Sequence, residues 1–340
     1  MSSERMRFTD FIRSKPELKF FFTGGKGGVG KTVAAAGMAY YFATQGEKVL
    51  LVSLNPVHSL SSVFGQDLWG GEIKPVEGVE NLWACEVDIS DVIQRYKTML
   101  GTRLREFFKW ADIPVDPGPF IDIATTNPAF EESAMFDKMV DIMLEQGPNY
   151  DKIVFDCAAV ANAIRLIGLS KIYTMWLQRM IESRKEALSL RVKLSFRKEK
   201  VMEEIKKDPL MADLIAMDKR IRAAKQFLTD PEQTAFFFVT LPLALPISVV
   251  KRFIRMVQAF DIPIGGVIVN GVIPKSVVDR GERSEYMLNK LREQEGYLAI
   301  IERDLGPLVR AYIPLFETEV AGVDMIAKVA DALVSGEMPK

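Results

Sequence analysis

The stretch TGGKGGVGKTVAAAGMAYYFA, residues 23–43, decides the fold. It follows the apolar run KFFFT (19–23) and opens an alanine-rich segment, so a strand, a glycine loop and a helix are expected in that order. Gly25, Gly30, Lys31 and Thr32 meet the pattern G-x-x-x-x-G-K-[ST] in the strand-before, helix-after context that makes it credible. The glycines let successive backbone N–H groups turn inward around phosphate oxygens, and the N-terminus of the following helix adds its dipole. Gly25, Gly27, Gly28, Val29, Gly30, Lys31, Thr32 and Val33 form the expected nucleotide-binding set. Lys31 would reach the β- and γ-phosphates, and the Thr32 hydroxyl would ligate Mg²⁺, so ATP and Mg²⁺ are the expected cofactors.

Outward from the loop, further apolar runs read as strands buried on both faces: KVLLVS (48–53), NLWACEV (81–87), KIVFD (152–156), AFFFVT (235–240) and GGVIVN (265–270). Alternation of such runs with helical segments predicts an α/β P-loop NTPase fold, a mostly parallel central sheet flanked by helices. Residues 88–119 and 171–232 break the alternation and read as helices. The expected organisation is one ATPase domain over 1–340, its core drawn from about 17–87, 120–170 and 233–335, with an inserted α-helical subdomain from about 88–119 and 171–232. The most apolar segment, FFFVTLPLALPISVV (236–250), is too short to span a bilayer as a helix and carries two prolines, so it reads as a buried strand followed by a turn.

Composition removes other classes. The chain of 340 residues is 48% hydrophobic and 26% charged, with a formal net charge of −1, so no global charge argues for nucleic acid or membrane. Two isolated cysteines, Cys85 and Cys157, and one histidine, His58, cannot build a zinc site or a disulfide framework. The opening MSSERMRFTDFIRSKPELK lacks the apolar stretch of a signal peptide, and a reduced, cytoplasmic setting is expected.

The loop contains a second lysine, Lys26, and GGKGGVGKT resembles the deviant Walker A motif of a family that includes the arsenical-pump ATPases (ArsA) and the tail-anchored-protein-targeting ATPases. In that family the extra lysine crosses a dimer interface, so the resemblance implies that Lys26 acts on the nucleotide of a partner subunit. Later segments, over about 17–330, are similar to the same branch. Asn55-Pro-Val-His-Ser resembles its D-P-A-H-S switch loop, and PAFEE (128–132) its P-G-x-x-E helix start. KIVFDCAAVANAIRLIGL (152–169) resembles its second switch, with Asp156 in the Walker B place as a magnesium-holding residue and Arg165 retained. DPEQTAFFFVTLP (230–242), VIVNGVIP (267–274) and IPLFETEVAG (313–322) resemble its nucleotide-side segments, which implies Asn270 and Pro314 near the adenine.

The departures fall where hydrolysis would be controlled. The family carries at the position of Asn55 an aspartate that orients or activates the attacking water. An amide holds water but cannot take its proton at neutral pH, so a general-base contribution of about 10²–10⁴-fold would be lost. In the second switch, Ala159, Val160, Ala161 and Asn162 stand where the family has Pro, Thr, Gly and His, and the lost glycine restricts a loop that must approach the γ-phosphate. Slow turnover is the expectation. Lys26, Lys31 and Asn55 form the expected catalytic set, with Asn55 and Ala161 reporting the γ-phosphate. His58 is expected to pack or hydrogen-bond within its loop rather than ligate a metal.

Met135, Met139 and Met143 lie at i, i+4, i+8 and read as core packing by a helix covering the sheet. Residues 171–232, with Met175, Met180, Met202, Met211 and Met217, are a better groove candidate than that helix: the resemblance to the targeting ATPases implies an apolar trough for a helical client there, and a solvated helical hairpin that merely extends the dimer stands level with it. Arg179 to Lys200, with eight basic and three acidic side chains, reads as a solvated face. The family's metalloid-binding cysteines and zinc-binding Cys-x-x-Cys have no counterpart, which disfavours arsenite captured by thiolates. The resemblance thus implies a homodimer, or a heterodimer with a paralogue, that binds Mg-ATP and holds or releases a client, with no nucleic acid and at most indirect membrane contact. A hydrolysis-deficient scaffold is the other reading.

Overall fold

A computed structural model of the chain describes residues 5–55, 59–110, 114–126, 128–157, 209–276 and 285–339, with scattered positions between 175 and 190. Two compact units emerge: Met1–Ile89, Ile142–Ile164 and Leu228–Lys340 form the first, and Ser90–Asp141 with Arg165–Phe227 the second.

The first unit is built on an eight-stranded sheet in the order β3-β4-β2-β5-β1-β6-β7-β8. Its strands are β1 Phe20–Gly24, β2 Val49–Leu54, β3 Lys74–Pro75, β4 Leu82–Glu86, β5 Lys152–Cys157, β6 Thr234–Thr240, β7 Ile264–Val272 and β8 Val309–Pro314. All pairings are parallel except β3 with β4. The apolar runs form the central strands because helices cover both faces and leave no side for polar residues. Phe22 shows the result: its ring stacks between Phe155 and Phe236 at centroid distances of 4.8 and 4.4 Å. Each such ring contributes about 1.5–3 kcal/mol on burial.

All six expected strands are present, and two further strands were not anticipated. In VRAYIP of β8 the apolar run is broken by Arg310, which the structure buries: its Nε donates to Gly265 O at 2.7 Å, and its Nη1 to Met6 O at 3.0 Å and Pro307 O at 3.1 Å. A charged side chain satisfied by three carbonyls hides a core strand from any hydropathy pattern. β3 is two residues long and too short to read from sequence. After β6, the turn expected at 241–250 gives way at Ala244 to a helix running to Gln258; Pro246 lies in its first turn, where its missing N–H has no carbonyl to reach.

The second unit contains helices Ile89–Trp110, Gly118–Thr125, Pro128–Asp141 and Pro209–Thr229, the outer two reaching a residue or two beyond its bounds. Residues 120–141, expected in the core, group with this unit. Helix 128–141 is tied to helix 209–229 by Arg220, which pairs with Asp137 at 3.1 Å and also with Asp141, and Phe130 packs on Tyr96 at 5.1 Å. Burial raises the Asp137 carboxyl above its ordinary range, and Arg220 opposes that shift. Met139 and Met143 are buried, as core packing requires, and Met135 is half-buried. Met175 is exposed. Met180, Met202 and most of the basic stretch from Arg179 to Lys200 lie outside the described residues.

Candidate functional site

The expected site residues that are described converge on the C-terminal edge of the parallel sheet, where α/β folds bind ligands. β1 runs out at Gly24 into the glycine loop, and helix Lys31–Thr44 begins at its far end. Gly25 sits at φ 153°, and a Cβ there would stand 2.4 Å from Val239 O, so the loop passes β6 closer than any side chain permits. Gly30 adopts the left-handed φ of 86° that turns the chain into the helix. A Cβ on Gly30 would lie 2.1 Å from Asn270 Nδ2, which donates to Val29 O at 2.9 Å. Asn270 thus braces the loop itself. Gly27 and Gly28 are exposed, with open space where a Cβ would be, and Val29 is buried beneath them. Pro314 ends β8 opposite Val272 of β7, half-buried on the same edge.

The Lys31 ammonium is buried and donates to Lys26 O at 3.2 Å, inside the curl of the loop. Burial lowers its pKa, and the charge of Asp156 pulls the other way. Thr32 Oγ1 donates to Asp156 Oδ2 at 2.6 Å. Asp156 has no exposed surface; burial raises its carboxyl above the ordinary range against hydrogen bonds from Thr32, Thr23 and Ser59 and the charge of Lys31. The Lys26 side chain is exposed. Asn55 follows β2 and is half-buried. His58, Ala159, Ala161, Asn162 and Arg165 lie outside the described residues.

The arrangement suits Mg-ATP. Helix 31–44 carries no acidic residue in its first turn to repel a phosphate, and Lys31 lies at its start. Thr32 and Asp156 offer hard oxygen ligands. Among the described residues no group of three or more His, Cys, Asp or Glu could hold a metal.

Sequence reading missed a polar row across this edge. Thr23 of β1 pairs in register with Asp156 of β5, Asp156 with Ser53 of β2, and Ser53 with Glu86 of β4. All four are fully buried. Glu86 accepts from Leu60 N at 2.7 Å, from Ser61 N at 3.3 Å and from Ser61 Oγ, so it holds the start of helix Ser59–Phe64. The signal was present: KFFFT, KVLLVS and KIVFD each end on a polar residue, and NLWACEV has its one acid a residue from its end.

The sequence profile of the anion-transporting ATPase family matches residues 18–335. The chain belongs to this family. It is 29% identical over 330 residues to ATPase GET3C of Arabidopsis thaliana, covering 93% of this chain and 82% of that protein. It is 29% identical over 345 residues to ATPase GET3B of the same plant, covering 95% and 80%. Against a putative arsenical pump-driving ATPase 2 of Aquifex aeolicus (strain VF5) it is 26% identical over 321 residues, covering 94% of this chain and all of that protein (100%). Among the described residues no helix is long and apolar enough to cross a membrane.

Proposed function

We propose that the chain is a cytoplasmic, dimeric Mg-ATP-binding ATPase in which nucleotide closes two subunits, and closure governs the holding or release of an apolar helical protein client. One observation carries the nucleotide part: a buried lysine curled under a glycine loop, one residue before a threonine that hydrogen-bonds a fully buried aspartate at 2.6 Å. Lys31 binds phosphate, Gly25 to Val33 cradle it, and Thr32 and Asp156 hold Mg²⁺, which neutralises phosphate charge. Lys26, exposed on the loop, is free to reach the nucleotide of a neighbouring subunit, a second copy or a paralogue. Asn270 and Pro314 border the adenine. The dimer, the trans lysine and the client rest on the resemblance.

Transport of arsenite bound by thiolates is disfavoured. Cys85 pairs with Val52 on one side of β2 and Cys157 with Leu54 on the other, so two strand spacings, roughly 10 Å, separate their backbones. Both thiols are buried, and burial pushes that of Cys157 far up.

Asn55 favours a second reading, a nucleotide-stabilised scaffold with little turnover, because its amide cannot serve as a base. Single-turnover Mg-ATP hydrolysis by the protein and by Asn55→Asp, with Lys31→Ala as the blank, separates the two. A gain of about a hundredfold or more in Asn55→Asp is expected if only the base is lacking. ATP binding without turnover by either form would favour the scaffold, and no nucleotide binding at all would overturn both.

A further inference from the structure

The polar row contains one buried acid to which the nucleotide reading gives no task. Glu86 touches no part of the glycine loop; its three hydrogen bonds all go to Leu60 and Ser61. A carboxylate takes all three donors, whereas an amide in its place would present a donor of its own to one side. Ser61 Oγ in turn accepts from Leu68 N at 3.1 Å, and Glu86 N donates to Leu68 O at 3.1 Å, so both ends of the segment 61–68 are fastened to the same strand residue.

The residue just before this clamp is Ser59. Its hydroxyl lies 3.3 Å from Ser53 Oγ and near enough to Asp156 to help hold that carboxyl down against burial. Ser53 in turn pairs in register with Asp156, so Ser59 meets the polar row at the residue beside that carboxyl. β2 stands between β4 and β5, and the register puts Glu86 and Asp156 on either side of Ser53. The start of helix Ser59–Phe64 is thereby fastened to β4 by Glu86 and set against Ser53, the register neighbour of Asp156.

We propose that Glu86 is a positioning residue for the metal site: it fixes helix 59–64, the helix fixes Ser59 against Asp156, and Ser59 orients the carboxylate that takes Mg²⁺ beside Thr32. The proposal rests on the Mg-nucleotide reading above. Partners behind a metal ligand tune affinity by about 10- to 100-fold, and Ser59 is such a partner with Glu86 one step behind it.

The test measures ADP affinity with and without Mg²⁺, together with amide hydrogen exchange over 59–64, in the full chain and in Glu86→Gln, Ser61→Ala and Ser59→Ala. Glu86→Gln is expected to speed exchange at Leu60 and Ser61 about tenfold or more. It should reduce the enhancement of ADP affinity by Mg²⁺ about tenfold, while Mg-free affinity changes less than about twofold. Ser61→Ala, which removes one hydrogen bond and leaves the acid in place, should do both to a smaller extent, and it serves alone if Glu86→Gln does not fold. Ser59→Ala should reproduce the loss at the metal without exposing the Leu60 and Ser61 amides. Faster exchange with an unchanged Mg²⁺ enhancement would reduce Glu86 to a helix cap and overturn the inference, as would unchanged exchange. A parent protein that binds ADP with no Mg²⁺ enhancement would instead sink the Mg-nucleotide reading, and this inference with it.

Discussion

The glycine loop and the start of helix Ser59–Phe64 lie at the same edge of the sheet, yet they are held in opposite ways. The loop is shaped mainly by its own residues: Gly25 and Gly30 supply the backbone turns, Lys31 closes on Lys26 O five residues back, and Asn270 is the one bracing side chain from far along the chain. The helix start is held by Glu86, 25 and more positions away, through hydrogen bonds from the Leu60 and Ser61 N–H groups and the Ser61 hydroxyl. That helix start is fastened to a neighbouring strand, and Asp156 borders both systems because it accepts from Thr32 and pairs in register with Ser53, against which Ser59 lies.

The largest expected effect breaks the local side alone. Lys31→Ala removes the one buried ammonium at the loop, and charge-assisted contacts of this kind are worth about 1.5–3 kcal/mol each. ADP and ATP affinity should both fall about tenfold to a hundredfold by calorimetry, with exchange at Leu60 and Ser61 unchanged. Slower or faster exchange there would mean that the two systems are one.

A middle-sized effect probes the shared residue. Burial raises the Asp156 carboxyl, so the folded protein holds that proton more tightly than the unfolded chain does. The group therefore contributes most stability at low pH, and that contribution is lost as pH rises from the ordinary carboxyl value of 3.8 through the raised one. Asp156→Asn removes the dependence. Without nucleotide, the melting temperature of Asp156→Asn minus that of the parent should grow by on the order of one to a few degrees across that window, then level off. With nucleotide, the Mg²⁺ enhancement should be lost. A difference that is flat or shrinks with pH would show that Lys31 already keeps the carboxylate ionised.

The contrast also explains what sequence made legible. The loop was readable residue by residue because its chemistry is contiguous: a strand, five glycines between positions 24 and 30, and the Lys31-Thr32 pair. The central strands were readable because burial on both faces demands unbroken apolar runs. β8 was not, since Arg310 interrupts it and becomes tolerable only beside the carbonyls of Gly265, Met6 and Pro307, which the fold alone brings together. Glu86 was legible only as the one acid near the end of an apolar run. Its significance depends on a register with Ser53 that no local pattern encodes.

The smallest effect sharpens the comparison where the Asn270 side chain, from far along the chain, touches the local loop. Asn270 donates to Val29 O at 2.9 Å, and its amide occupies the space a Gly30 side chain would need, so Asn270→Ala removes one hydrogen bond and some bracing from the loop. A neutral hydrogen bond contributes about 0.5–1.5 kcal/mol, which corresponds to roughly a threefold to tenfold weaker nucleotide complex. The resemblance also implies that Asn270 borders the adenine, and the two roles differ in their ligand dependence. If bracing is its work, ADP, ATP and inorganic tripolyphosphate, which has no base, should weaken by the same factor. If adenine contact adds to it, ADP and ATP should lose more than tripolyphosphate does. An Asn270→Ala protein that binds all three as tightly as the parent would show that the glycine loop holds its shape unaided, and the locally coded side of the comparison would then be complete within residues 24–32.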